Sequence, residues 1–356
     1  MLCLGIESSC DETALALVED GKLVDAVLSS QAEMHALFGG VVPELASREH
    51  YRYLSTLYDE LIRRAGISQQ DIGLIAVTRG PGLLGSLLVG VAFAKGLALG
   101  LDKSLLGVNH LHAHLLAAGL EHEITYPALG ILASGGHTNI YRIEQPWHFV
   151  QLGRTLDDAA GEALDKIGKL LGCAYPCGAF IDKLACLGHA DDDLFPRPYL
   201  NNDNLNFSFS GLKTAAAQYV AHYLKGVQWP HPLHNVQDAP QRLLDFCASF
   251  TQALVDTLCV KINRALDGNA DLKTLVLAGG VAANSLLRER VHYVMEKRGG
   301  KTIIPSTALC TDNAAMIAYT GWLLGRKGYV HNLMLKTIPR GEIIPDDMIL
   351  SSVAHV

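Results

Sequence analysis

A chain of 356 residues is long for a single hydrophobic core and fits two domains of ordinary size. Hydrophobic residues make up 49% and charged residues 18%, which excludes a disordered chain. The net charge of −7 excludes a broadly basic nucleic-acid-binding surface and leaves room for a local basic groove or a basic partner.

A strand pattern begins at Leu2, with no basic region and apolar core before it, so a cytoplasmic location and no membrane partner are expected. The longest apolar stretch, Leu83 to Leu101, is broken by Gly85, Ser86, Gly90, Lys95, Gly96 and Gly100 and does not read as a membrane span. Eight scattered cysteines should be reduced there. Cys173 and Cys177 are close in sequence, but no second pair completes a metal site, and they read as core.

The segment GIESSCDETALALVEDGKLV, from Gly5, is a strand, a small polar turn, an alternating strand, a second turn and a third strand. GILASGGHTNIYRIEQPWHFV, from Gly130, repeats it at an offset of 125 (130 − 5 for glycine, 138 − 13 for threonine). In the first half, a strand Ile72–Thr78 leads through Gly80-Pro81-Gly82 into a helix, and a strand Leu105–Asn109 leads into a helix from His110. In the second, a strand Thr274–Ala278 leads through Gly279-Gly280 into a helix from about Ala282, and a strand Lys301–Ile304 leads to a helix from about Asp312. The expectation is two α/β lobes with mixed sheets, residues 1–126 and 127–326, the second carrying a helical insertion at about 175–270. The pattern weakens from Lys213 to Pro240, and residues 327–356 read as a peripheral tail. Ligands of such sheets gather at the carboxyl ends of strands, so a central cleft between the lobes is expected.

His110, His112 and His114 lie in NHLHAHLLAAGLE. On a helix, His110 and His114 share a face and can reach one divalent ion, while His112 points away. Leu111 stands where HExxH has its glutamate, so no protease base is supplied. Asp312 occupies the matching position of the other half. It reads either as a third ligand across the cleft or as a helix cap.

The turn Leu132, Ala133, Ser134, Gly135, Gly136 and His137 offers unhindered backbone N–H groups to an anion, or is an ordinary hairpin turn. Its counterpart carries Asp11 and Glu12, which suit a cation or a hydroxyl. AGGVAANS, from Ala278, runs from strand to helix, with Asn284 expected one turn in and within reach of a ribose or base. Asp158, Glu162 and Asp165 line one side of a helix in Asp157–Gly172, as a solvated face or as ligands of a sugar hydroxyl or cation.

Nine motifs in order make the chain resemble the TsaD family of tRNA N6-adenosine threonylcarbamoyltransferases, formerly described as O-sialoglycoprotein endopeptidases. They are IESSCDETALAL, GGVVPELASREH, RGPGLLGSLLVG, NHLHAHLLA, LASGGHT, DDAAGEALDKIGKLLG, FSFSGLKT, AGGVAANSLLRE and CTDNAAMIA, spanning Leu2 to Gly325. The resemblance implies the duplicated actin-like ATPase, sugar kinase and Hsp70 (RNase H-like) fold. It implies transfer of a threonylcarbamoyl group from threonylcarbamoyl-adenylate to N6 of the tRNA adenosine beside the anticodon, with release of AMP. It implies one divalent ion per subunit on His110, His114 and Asp312, iron ahead of zinc. The adenylate donor, or ATP or ADP, would lie at Leu132 to Gly136, Asp165, Gly178, Asp182 and Asn284. Candidate proton acceptors are His137, Glu12 and Asp11. Implied partners are tRNA, a paralogous dimerisation subunit and a small ATPase.

Three features depart from the family pattern: Cys177 in place of a glycine in YPCG, which could alter the wall of the binding pocket; His112 between the ligands; and the additions WPHPLHNVQDAP and the tail after Lys327. Rival readings are a sugar kinase or ATPase, a metalloprotease and a non-catalytic nucleotide-binding scaffold.

Overall fold

The computed structural model describes residues 1–174 and 176–351, so Tyr175 of the YPCG turn and the last five residues of the tail lie outside the description. The chain opens with β1 (Leu2–Glu7), β2 (Glu12–Glu19), β3 (Lys22–Ser30), α1 (Ala32–Ala36), α2 (Pro43–Ala65), β4 (Ile72–Gly80), α3 (Leu84–Leu101), β5 (Ser104–Asn109) and α4 (His110–Leu116). The five strands form one sheet in the order β3-β2-β1-β4-β5. β1, β2 and β3 pair antiparallel, and β1, β4 and β5 pair parallel. The central β1 is buried at every position, as a strand covered on both faces must be, whereas most of the edge strand β3 is exposed or half-buried. Pro43 opens α2 at its first turn, and Gly66 closes it in the left-handed region at φ 65°.

The second set comprises β6 (Ala128–Ala133), β7 (Thr138–Gln145), β8 (His148–Arg154), α5 (Ala160–Leu170), α6 (Gly178–Ala185), α7 (Ser210–Tyr223), α8 (Gln241–Asp267), β9 (Thr274–Ala278), α9 (Ser285–Lys297), β10 (Lys301–Ile303) and α10 (Thr307–Cys310). Its sheet runs β8-β7-β6-β9-β10, the same order as the first. Even the register repeats: Gly5 faces Ala16 and Gly130 faces Tyr141, so 130 − 5 and 141 − 16 both give 125. The duplicated α/β architecture read from the sequence is present. The inserted helices α6, α7 and α8 pack into the second core, with α7 running on to Tyr223 where the sequence pattern had weakened.

The chain closes with α11 (Ala314–Gly325), β11 (Tyr329–Val330) and β12 (Ile349–Leu350). Here the expected division is corrected. The compact units are Met1–Glu123 with Thr311–Val356, and Ile124–Cys310. The last helix therefore belongs with the first sheet, where it packs on β1, β2 and β4. α11 is buried at every position from Ala314 to Trp322 and needs cover all round. Small residues let it approach closely: a Cβ on Gly5 would lie 2.3 Å from the backbone nitrogen of Ala318, and one on Gly321 would lie 2.4 Å from the Ala76 Cβ. Because the Gly5 clash is with backbone, Gly5→Ala should destabilise the fold by about 1–3 kcal/mol. Chemical denaturation should show a lowered midpoint with little change in slope.

The tail is not peripheral either. β11 pairs with β12, and His331 N–H donates to the Leu105 carbonyl of β5. Arg79, 2% exposed, would be costly to bury without acceptors. The tail supplies them: a bidentate pair with the Asp347 carboxylate and a bond to the Lys336 carbonyl. Ile338 N–H and Arg340 N–H in turn donate to the carbonyls of Arg79 and Gly82.

α3 and α8 are long and apolar enough to cross a membrane by length and composition. α8 is mostly buried, and α3 packs on β4 and α2. The WPHPLHNVQDAP addition is stitched to the end of α5: Trp229 Nε1 donates to the Leu171 carbonyl, and Leu233 N–H to that of Gly172. The Cys177 side chain is buried in the core against Gly168. Burial pushes its thiol up to about 12.

Candidate metal centre and glycine cradle

The first unit brings His110, His114 and Asp312 together. Asn109 caps α4, its side-chain oxygen accepting from the N–H groups of Leu111 and His112, so the helix begins on His110 as expected. One turn later His114 lies on the same face, and the two rings meet edge to face with centroids 4.7 Å apart. Both rings are buried, at 5% and 2% exposure. His114 Nε2 is 3.2 Å from His110 Nε2 and 3.1 Å from Asp312 Oδ1, and His110 Nε2 is 3.5 Å from the same oxygen.

These separations test the fit to an ion. Ligands about 2.1 Å from a metal stand about 3.0 Å apart at a right angle and about 3.4 Å apart at the tetrahedral angle. The three donor atoms sit close to this range, and three protein ligands leave positions open for a further group. The residues fit a divalent cation.

The helix-cap reading of Asp312 is displaced by its neighbour. Asn313 caps α11, its side-chain oxygen accepting from Met316 N–H at 2.9 Å. The expectation that Asp312 comes from the opposite lobe is corrected, since all three donors belong to one compact unit. His112 is not part of the cluster.

Sequence reasoning missed Glu7. This carboxylate, fully buried at the end of β1, accepts from Thr78 Oγ1 and Ser9 N–H, each at 2.6 Å. Its Oε2 is 3.1 Å from His110 Nδ1. The available signal was a single acid closing an otherwise apolar strand, at the carboxyl end where ligands of such sheets collect. Burial alone would lower the basicity of His110, but the Glu7 and Asp312 carboxylates outweigh it and raise it to about 9. Burial likewise pulls Glu7 up, and the charge of His110 reverses this and lowers it. A metal-free site therefore holds a proton that metal uptake must displace.

The turn that carries Asp11 and Glu12 lies in the same unit, and both residues are half-buried. Glu12 Oε1 accepts from Ser30 Oγ across the β2–β3 pair at 2.8 Å, and its Oε2 is buried with no partner among the described residues. Burial, with repulsion from Asp11 and Asp312, lifts this carboxyl to about 7 against the pull of Ser30.

The second unit assembles the glycine-rich segments. Leu132 and Ala133 end the buried β6, and Ser134 to His137 form the turn, closed by Ser134 N–H donating to the His137 carbonyl at 2.8 Å. Gly161 of α5 and Gly279 press against this turn. A Cβ on Gly161 would lie 2.6 Å from the Ser134 carbonyl oxygen, and one on Gly279 would lie 2.4 Å from that of Ala133. Gly135, Gly136 and Gly280 instead face open space. Tight packing behind and open space in front make a cradle that a ligand can enter.

Asp165 lies beside this cradle on α5. It accepts from Cys177 N–H at 2.8 Å, and also from Gly178 N–H where α6 begins. Burial raises its carboxyl, with these backbone bonds opposing. Asp182, one turn into α6, accepts from Asn284 Nδ2 at 2.8 Å and from Ser285 Oγ at 2.7 Å. Asn284 is not one turn into its helix. A short 3₁₀ turn, Gly280–Ala283, intervenes, and Asn284 caps α9 by accepting from Leu287 N–H. Asp158 and Glu162 are satisfied by Lys166, and Asp158 also by Lys213. The missed Asp157 accepts from Phe209 N–H and both flanking serine hydroxyls, Ser208 and Ser210, at the start of α7.

A sequence profile of TsaD, tRNA N6-adenosine threonylcarbamoyltransferase, matches residues 22–319. The tRNA N6-adenosine threonylcarbamoyltransferase of Desulfovibrio desulfuricans is 68% identical over 348 residues, covering 98% of this chain and 96% of its own length. The chain belongs to this family. The relative of the same name from Nitratidesulfovibrio vulgaris is 60% identical, covering 98% of both. Among solved structures, HypF of T. kodakarensis superposes with a TM-score of 0.59 at 15% identity, covering 91% of this chain and 47% of its own. Component A of the Acidaminococcus fermentans (R)-2-hydroxyglutaryl-CoA dehydratase gives 0.50 at 15%, covering 90% and 98%. These two likenesses bear on the fold alone, which is of the actin-like ATPase type. Membership of the threonylcarbamoyltransferases makes the chain a transferase and sets aside the kinase and protease readings.

Proposed function

We propose that this chain transfers the threonylcarbamoyl group of L-threonylcarbamoyladenylate to N6 of adenosine 37 in tRNAs that read codons beginning with A. Likeness along nearly the whole chain to relatives of that name carries the reading. The new bond joins N6 to the carbamoyl carbon, the mixed-anhydride C–O bond breaks, and AMP leaves with the electron pair. AMP is a good leaving group, whereas N6 is a poor nucleophile because its lone pair is delocalised into the ring.

The Leu132–Gly136 turn, with Gly280 beside it, receives the adenylate phosphate through backbone N–H groups. Asp165, Gly178, Asp182 and Asn284 bind the ribose and base. His110, His114 and Asp312 hold one divalent ion, with iron preferred to zinc because of the family resemblance. When bound, that ion supplies Lewis-acid polarisation of the donor's carbonyl. Glu12 takes the N6 proton. Its buried oxygen without a partner among the described residues, and its raised basicity, favour it over His137, whose backbone closes the glycine turn, and over Asp11. The protein works in the cytoplasm with tRNA, a paralogous dimerisation subunit and a small ATPase.

The test combines purified protein, threonylcarbamoyl-adenylate and unmodified tRNA, with and without those partners. Threonylcarbamoyladenosine in the tRNA and an equal yield of AMP are expected. Phosphate release from ATP without any tRNA product would instead favour an ATPase.

A further inference from the structure

Glu7 is a buried acid with more hydrogen bonds than packing requires. A carboxylate withdrawn from water is costly unless its oxygens are satisfied. Here the donors come from three different segments. Ser9 N–H serves Oε1 at 2.6 Å, Thr78 Oγ1 on β4 serves Oε2 at 2.6 Å, and His110 Nδ1 on α4 lies 3.1 Å from the same Oε2. Thr78 therefore aims one carboxylate oxygen at the imidazole. Ser9 Oγ stands 3.3 Å from the same ring nitrogen and adds a second, longer contact.

The other histidine has no such support. His114 Nδ1 is buried without a partner among the described residues. Of the two rings that meet Asp312, only one is turned and held by a hydrogen bond from behind. An imidazole with its proton on Nδ1 presents the Nε2 lone pair, the form a ligand must take. Without that anchor the His110 proton could sit on Nε2, facing His114 and Asp312 at 3.2 Å and 3.5 Å.

We propose that Glu7, held by Thr78, is a positioning residue that fixes His110 with its proton on Nδ1 and its Nε2 toward His114 and Asp312. The proposal rests on reading these three residues as a metal site. Glutamine is a sharp probe, since its single carbonyl oxygen cannot serve Ser9, Thr78 and His110 together, and its amide group would face a donor.

The experiment titrates Co(II) into the metal-free full chain, following the ligand-field absorption and the dissociation constant. Wild type, Glu7→Gln, Thr78→Val and His110→Ala are compared, with melting of each metal-free protein as the measure of folding. Glu7→Gln should bind about 10–100-fold more weakly with an altered absorption spectrum. Thr78→Val, which leaves the carboxylate in place, should weaken binding by a smaller factor in the same direction. It carries the test by itself if Glu7→Gln does not fold. Wild-type affinity and spectrum in the folded Glu7 or Thr78 variants, with binding lost in His110→Ala, would overturn the proposal. Wild-type binding in His110→Ala would overturn the metal reading beneath it.

Discussion

Replacing His114 with alanine is expected to empty the metal site and reduce threonylcarbamoyl transfer by about 10³-fold or more, while leaving the fold in place. His114 is the cleanest of the three donors to remove. Its Nε2 faces His110 and Asp312, and its Nδ1 bonds to nothing among the described residues. The substitution therefore deletes a donor without orphaning a partner elsewhere. His110 is different, because its loss would also strand the buried Glu7 carboxylate. Asp312 is different again, since it lies next to the Asn313 cap of α11.

The size of the effect follows from the chemistry left behind. Removing one preorganised electrostatic contact from a developing oxyanion costs about 10²–10³ in rate. Losing the proposed ion would remove the strongest local positive charge and, on the proposed reading, one anchor of the donor together. Metal analysis of the purified variant should fall from about one equivalent to near zero. Transfer should fall in step, with melting lowered only by the cavity of one buried ring. Retained metal with lost activity would point to His114 acting directly on substrate. Lost metal with full activity would remove the ion from the reaction.

Much of the candidate site is legible in the sequence alone. The i, i+4 histidines and the two glycine turns are local patterns, and the 125-residue offset carried over to the strand register itself. What the sequence could not reveal was long-range. Nothing local says that α11, which follows the second half in the chain, packs on the first sheet; glycines at positions 5 and 321 make that possible. Nor does Glu7 stand out, because its partners Thr78 and His110 lie 71 and 103 residues away. The helices expected from about Ala282 and Asp312 begin instead at Ser285 and Ala314, for one physical reason. Helix starts depend on which side chain captures the free N–H groups, and Asn284 and Asn313 do so here. The tail was underrated because the demand it meets, a buried guanidinium at Arg79, is invisible in the tail's own composition.

Glu12→Gln is expected to lower the transfer rate by about 10²–10⁴-fold and to flatten its rise with pH. N6 must lose a proton as it acquires the carbamoyl carbon, and a base works best when its pKa lies near the operating pH. Glu12 is the acceptor proposed for this role: burial, with Asp11 and Asp312 adding repulsion, lifts its carboxyl to about 7. A base acts when deprotonated, so activity should be low on the acid side, rise through about pH 7 and level off above it. A bound cation would offset the repulsion from Asp312 and would move the midpoint of the loaded protein to pH 7 or somewhat below. Proton competition at His110 would also depress activity in acid, by stripping the metal. The two causes separate if metal content is measured at each pH and the profile is taken with the site kept full. Under those conditions the acid limb should persist in wild type and vanish in Glu12→Gln. A limb that survives the substitution unchanged would assign the proton to another acceptor, with Asp11 and His137 next in line.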